Sequence, residues 1–186
     1  MILSDETDGA LATRAAAGDD SAFAALMRRH RGSVYRLILN NVADPDEALD
    51  LVQETFLSAH RALSRYDPAR PMAAWLATIA LNKCRDWGRR RALRRWLRFA
   101  RPVDEIAGTV AADMPGQDTT AADRQELARL RAAIAALPVA LREPLVLHAV
   151  EGMSHADTAR ILSITPKAVE TRLRRARIKL NDLLGR

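Results

Sequence analysis

Ser154-His155-Ala156-Asp157-Thr158-Ala159-Arg160-Ile161-Leu162-Ser163-Ile164-Thr165-Pro166-Lys167-Ala168-Val169-Glu170-Thr171-Arg172-Leu173-Arg174-Arg175-Ala176-Arg177 reads as helix, tight turn, helix, and the second helix is strongly basic. Ser154 caps the first helix, with Asp157 three residues on as a variant of the capping box. Thr165 caps the second, and Pro166 takes the first helical position, where a missing N–H costs nothing. Val169, Leu173, Ala176, Leu180 and Leu184 recur at helical spacing and mark a buried face. Lys167, Arg174, Arg175 and Arg177 lie off it. A short capped helix joined to a basic amphipathic one places side chains in a major groove. The pattern points to DNA and away from a small-molecule substrate.

The whole chain agrees. Its 186 residues suffice for one ordinary domain or two small ones. Hydrophobic residues make up 48% and aromatics only 4%, so the cores are built from Ala, Leu, Val and Ile. Abundant Ala, Leu and Arg, few β-branched runs and no alternating apolar pattern predict an all-α protein. The net charge of +6 and pI near 10.4 suggest a polyanionic partner. Cys84 is the single cysteine and reads as a small buried apolar residue; no internal disulfide is possible. His30, His60, His148 and His155 show no i,i+4 pair, and no metal site or cofactor is expected. No apolar run approaches the ~20 residues that span a bilayer. The acidic start, Met1-Ile2-Leu3-Ser4-Asp5-Glu6, lacks a signal-peptide layout, so a cytoplasmic protein is expected.

Two helical blocks, 1–100 and 121–186, flank a stretch, 101–120, that reads as a flexible acidic linker from its prolines, glycines, acids and lack of helical period. In the first block a short helix from Gly9 to Ala17 stops at Gly18-Asp19-Asp20. Asp20 or Ser21 caps the next, whose core face is Phe23, Leu26, Met27, Val34, Leu37 and Ile38. Asp44-Pro45 starts a third with core residues Ala48, Val52, Phe56, Ala59 and Leu63. Ser64 to Pro71 is a loop by its prolines. A long fourth helix buries Met72, Trp75, Leu76, Ile79, Ala80, Cys84 and Trp87. In the second block a helix of about Ala122 to Leu137 precedes one between Pro138 and Gly152. Pro144 either delays the start of that helix to about Leu141 or kinks it.

Two faces fall outside these cores. Asp46, Asp50, Gln53 and Leu57 form a stripe on the third helix, with Glu54 beside it: a solvated polar face, or a dock for a basic or mixed partner helix. Thr78, Asn82, Arg85 and Arg89 line the fourth helix opposite its core, joined by Lys83 and by the run Arg89-Arg90-Arg91-Ala92-Leu93-Arg94-Arg95-Trp96-Leu97-Arg98. The arginines exceed what a helix C-terminal dipole would use, and suit phosphates, while Asn82 suits a base edge. No glycine-rich phosphate loop, nucleophile elbow or metal-spaced carboxylate set is present, so no catalytic residue and no enzyme is expected.

Asp50-Leu51-Val52-Gln53-Glu54-Thr55-Phe56-Leu57-Ser58-Ala59, Arg65-Tyr66-Asp67-Pro68 and Ala74-Trp75-Leu76-Ala77-Thr78-Ile79-Ala80-Leu81-Asn82-Lys83 closely resemble the second conserved region of extracytoplasmic-function (ECF) sigma factors of the sigma-70 family. Leu137-Pro138, Leu145-Val146-Leu147, Glu151-Gly152-Met153-Ser154, Ala159 and Ala168 to Arg177 resemble their fourth region. The resemblance implies a transcription initiation factor that binds core RNA polymerase, selects promoters and helps melt them. It implies that Asp46, Asp50, Gln53, Glu54 and Leu57 dock on the clamp helices of the polymerase's largest subunit, with the flap as a further contact. Thr78, Asn82, Lys83, Arg85 and Arg89 would read the single-stranded −10 element. The loop carrying Tyr66, Asp67 and Arg70 would hold a flipped-out base, whose extrusion costs a few kcal/mol. Lys167, Glu170, Thr171, Arg172, Arg174 and Arg175 would face the duplex −35 element. An anti-sigma factor is the expected regulatory partner, able to hold the protein at the membrane without its inserting there.

Glu170 and Arg174 depart from what relatives often carry. Glu170 either reads a cytosine or avoids the backbone. Tyr66 is the only aromatic in its loop. The long first region of housekeeping sigma factors and the extra C-terminal domains of some relatives are not expected. The rival readings are a sigma-factor mimic that titrates an anti-sigma factor, which would lose the basic faces, and a stand-alone helix-turn-helix repressor, which would leave Asp50, Gln53 and Glu54 unexplained.

Overall fold

The computed structural model describes residues 6–99 and 121–185; the stretch read as a linker, 101–120, lies outside them. Among the described residues every regular element is helical. In order they are α1 (Asp8–Ala16), α2 (Asp20–Val42), α3 (Pro45–Ala62), a 3-10 turn (Leu63–Arg65) and α4 (Met72–Phe99). There follow α5 (Ala121–Ala136), α6 (Val139–Leu145), a π-type turn (Val146–Val150), α7 (His155–Leu162) and α8 (Pro166–Leu184).

Local chemistry sets the boundaries in the first block. The Thr7 hydroxyl accepts the Ala10 N–H at 3.3 Å and starts α1. Gly18 ends it at a φ of +96°, a region that L side chains avoid. The residue that caps α2 is Asp19, rather than Asp20 or Ser21. The left-handed Gly18 delivers Asp19 in an extended conformation, where its carboxylate accepts the Ser21 and Ala22 N–H groups at 3.0 and 3.2 Å. The Ser21 hydroxyl, then Arg14, then the Ala22 N–H hold that carboxyl at a pKa of about 2. Asp44 accepts the Glu47 N–H at 3.1 Å, and Pro45 opens α3 as expected.

Between α2 and α3 the chain turns at Ala43, whose φ is 55°. The left-handed conformation costs an L-residue about 1–2 kcal/mol, partly offset by the extra unfolded-state entropy of glycine. Ala43→Gly is therefore expected to stabilise the protein by about 0.5–1 kcal/mol. Urea unfolding would show it as a higher midpoint at unchanged slope; a lower midpoint would contradict it.

The helical periods place most of the expected core residues inside. Leu26, Val34, Leu37, Ile38, Ala48, Val52, Phe56, Ala59, Leu63, Met72, Leu76, Ala80, Cys84 and Trp87 are buried. Phe23, Trp75 and Ile79 are only half-buried, and Met27 is exposed. Polar groups caught inside helices bond backward: Thr55 donates to the Leu51 carbonyl at 2.7 Å and Asn41 to that of Leu37 at 2.8 Å.

In the second block α6 starts directly after Pro138 and keeps Pro144 inside its last turn, fully buried. Pro144 therefore does not delay the helix to Leu141. Two residues after this proline, which has no N–H, the helix widens into the π-type turn, closed by the Glu151 N–H on the Val146 carbonyl, five residues back, at 3.1 Å. The Ser154 hydroxyl accepts the Asp157 N–H at 3.0 Å and donates to its carboxylate at 2.6 Å, so the expected capping box closes through the hydroxyl. Ser163, at φ 54°, makes the tight turn. The Thr165 hydroxyl accepts the Ala168 N–H at 3.1 Å and starts α8. Val169, Leu173 and Ala176 are buried beneath α8, with Leu180 and Leu184 half-covered.

The two blocks pack on each other. α2 meets α5 and the π-type turn, and α4 meets α7. Ser33 donates to Glu151 at 2.6 Å, with Arg36 on the same oxygen at 3.4 Å. Arg85 grips Glu143 through Nε and Nη2 at 2.7 and 2.6 Å.

Candidate nucleic-acid and protein interfaces

The acidic stripe on α3 lies on the face turned from the core. Asp46, Asp50, Gln53 and Leu57 are exposed, and Leu57 leaves 57% of its surface to solvent. Leu49, one turn before Gln53, is also exposed and was not singled out from the sequence. The result is an apolar line, Leu49 to Leu57, flanked by carboxylates. Glu54 is half-buried at the edge and pairs with Lys83 of α4 at 3.5 Å.

The face assigned to −10 recognition is wired to acids. Besides Lys83 on Glu54, Arg85 holds Glu143, Arg89 pairs with Asp86, and Arg70 lies 3.3 Å from Asp67. The Asn82 side chain is exposed and accepts from Arg85 Nη1 at 3.1 Å. Thr78 is half-buried and donates to the Ala74 carbonyl at 3.0 Å. Beyond Arg89, Leu93, Trp96 and Leu97 stand exposed among the arginines, and Arg91 lies over the Trp87 ring at 5.0 Å.

Tyr66 lies inside its loop and not on the loop's surface. Its ring is 7% exposed, packed against Trp75 at 5.0 Å, and its hydroxyl donates to the Arg70 carbonyl. Burial raises its pKa. An aromatic ring buys more by burial here than it could by facing water, so Tyr66 braces the loop, while Asp67, Pro68, Ala69 and Arg70 form its exposed rim. Gly9 lets α1 approach this loop: a Cβ there would sit 3.3 Å from the Pro68 carbonyl.

The outer face of α8 differs. Lys167, Glu170, Arg174 and Arg175 are exposed, with Thr171 and Arg172 half-exposed beside them. Thr171 returns its hydroxyl to the Lys167 carbonyl at 2.9 Å. Among the described residues none of Lys167, Arg172, Arg174 and Arg175 has a carboxylate partner. The cations of α8 are open, whereas those of α4 near Asn82 are occupied.

Sequence reasoning missed Glu143, Glu151, Ser33 and Arg36. The side chains of Glu143 and Glu151 are buried, and no local pattern separates a carboxylate facing another helix from one facing water. The Cys84 thiol, close to Arg142 and Glu143, is pushed by burial up to about 12. His148 and His155 come together, with ring centroids 4.6 Å apart, although they stand seven positions apart in the sequence. No group of three or more potential metal ligands occurs among the described residues. None of their helices is long and apolar enough to cross a membrane.

Two family models match the chain: sigma-70 region 2 over residues 26–95 and sigma-70 region 4 over residues 127–180. The RNA polymerase sigma factor CnrH of Cupriavidus metallidurans is 41% identical over 97% of this chain and 95% of its own length. The chain belongs to the ECF group of the sigma-70 family. The ECF RNA polymerase sigma factor SigM of Mycobacterium tuberculosis is 34% identical over 97% of this sigma factor and 86% of itself. A solved structure of CnrH with the cytosolic domain of CnrY superposes with a TM-score of 0.71, at 35% identity, over 97% of this chain and 98% of that one. The region 2 match spans most of α2 and α4 and the whole of α3, and the region 4 match contains α7 and most of α8, the two helices of the helix-turn-helix.

Proposed function

We propose that this ECF sigma factor divides its work among the three faces just described. The exposed Leu49–Leu57 line of α3, with Asp46, Asp50, Gln53 and Glu54, docks on the clamp helices of core RNA polymerase. Asn82, with Lys83, Arg85 and Arg89, reads and holds the single-stranded −10 element, beside the loop rim of Asp67 and Arg70. The open cations of α8 bind the duplex −35 element. The observation that carries this reading is the contrast of surfaces: an acidic–apolar stripe on α3 and an unneutralised basic face on α8, on separate helices that can be engaged together. Two weak readers tethered to one polymerase gain avidity when their spacing matches the promoter. CnrH, similar over nearly the whole chain, was solved with the cytosolic domain of CnrY. A protein of that regulatory kind, an anti-sigma factor covering the α3 stripe, is the proposed antagonist.

Reconstitution tests it. Purified protein and core polymerase are mixed with genomic fragments, and the transcripts are sequenced. Discrete start sites sharing a two-part upstream motif are the expected result; failure to bind core would overturn the assignment of α3. Within the same assay Asn82→Ala is expected to lower −10 discrimination by about tenfold, the loss of 1–3 kcal/mol that follows from one good base contact, at unchanged affinity for core. Equal loss of both would remove Asn82 from the −10 face.

A further inference from the structure

The −10 face and the second block meet at one carboxylate. Arg85 projects from α4 beside Asn82 and is clasped by Glu143 of α6, to which its Nε and Nη2 donate at 2.7 and 2.6 Å. The Glu143 side chain is only 7% exposed. This bidentate fork is the geometry in which a guanidinium takes a phosphate. We propose that Glu143 is an internal phosphate mimic: in the free chain it occupies Arg85, holds the second block against α4 beside the exposed Asn82 and keeps that guanidinium from DNA. The proposal rests on the reading of Arg85 as a DNA contact.

A second clasp works with the first. Glu151, at the end of the π-type turn, takes the Ser33 hydroxyl at 2.6 Å and Arg36 at 3.4 Å, both from α2. The two clasps lie 58 and 118 residues apart in sequence, so neither serves the internal structure of a single block. The seam is also incompletely satisfied. Glu151 Oε1 and Arg142 Nε are buried without a hydrogen-bond partner. A buried polar atom left unpaired destabilises the state that buries it. Strong charged clasps with orphaned atoms beside them describe a closed form that is favoured but reversible. The free cations of α8 show what the −10 cations would be without such partners.

Opening frees the Arg85 guanidinium for a phosphate beside the exposed Asn82. A chain that is open one-tenth of the time binds single-stranded DNA through this face about tenfold more weakly than one held open. Any partner that engages the two blocks at a greater separation, as core polymerase and a two-part promoter would, removes that penalty.

The test uses the full chain and a fluorescein-labelled single-stranded DNA of mixed sequence, with affinity read by anisotropy across a salt series. Glu143→Gln is expected to tighten binding about five- to tenfold and to steepen the salt dependence by about one counterion. In an Arg85→Ala background Glu143→Gln is expected to change nothing; an equal gain there would mean that only bystander charge was removed, and would overturn the proposal. If Arg85→Ala has no effect in the Glu143→Gln background, Arg85 is not a DNA contact, and the assignment of that residue falls with the proposal. If Arg85→Ala weakens binding there but Glu143→Gln gains nothing in the wild type, the clasp alone fails. Because Glu143 is buried, Ser33→Ala supplies a gentler variant. It is expected to tighten binding several-fold and to increase the radius of gyration in small-angle scattering. An unchanged affinity and radius would overturn the closed state.

Discussion

Leu57→Arg is expected to lower affinity for core polymerase about thirtyfold or more, which is the 2 kcal/mol that defines an interface hot spot. The side chain leaves 57% of its surface in water, so its replacement has little hold on the fold. The stripe around it is apolar at Leu49 and Leu57 and acidic at Asp46 and Asp50. A partner that fits it must bring an apolar patch edged by cations. Arginine at 57 then adds a like charge to that edge and leaves an ion facing an apolar patch, both unfavourable. Circular dichroism should match the wild type, and affinity of the isolated chain for DNA should not fall. Equal affinity for core would remove the stripe from the polymerase interface. Asp50→Ala, on the same face, should act more mildly and mostly through the association rate, because an exposed charge steers more than it holds.

The stripe was readable from sequence because it is local. Spacings of four, three and four on one helix determine a shared face whatever the rest of the chain does. The same holds for the helix-turn-helix, whose caps at Ser154 and Thr165 lie three residues from the N–H groups they satisfy. Contacts between distant segments were not readable. Arg85 looks the same in sequence whether it meets a phosphate or Glu143, and nothing near Ser33 announces Glu151. Tyr66 shows the same limit at shorter range. Its loop was legible from Asp67-Pro68 and Pro71, but the direction of the ring depends on Trp75, brought to it by the first turns of α4. Asp19 displaced the expected cap because two functions converge on it: it ends the excursion of Gly18 and takes the Arg14 guanidinium at 3.0 and 2.6 Å. Propensity places a cap within a residue or two, and the partner decides among the candidates.

That difference between faces sharpens the second large effect, which falls on α8. Arg175→Ala is expected to weaken binding to −35 duplex about tenfold, and Arg174→Ala with Arg175→Ala about a hundredfold, near 1.4 kcal/mol for each charge-assisted contact. Each loss should flatten the plot of log affinity against log salt by about one. Removing a cation from the −10 face would orphan a carboxylate such as Glu143 and mix a folding cost into the result. On α8 neither arginine has such a partner among the described residues, both are exposed, and alanine is the better helix former, so the change in binding is free of that cost. An unchanged salt slope would exclude a phosphate contact. Glu170→Gln, measured in parallel, resolves the choice left open by the sequence. A carboxylate held off the backbone gives tighter binding to every duplex when neutralised, because a repulsion is lost. One that reads a cytosine amino group gives a loss confined to duplexes carrying that base, because glutamine accepts there less strongly than a charged group.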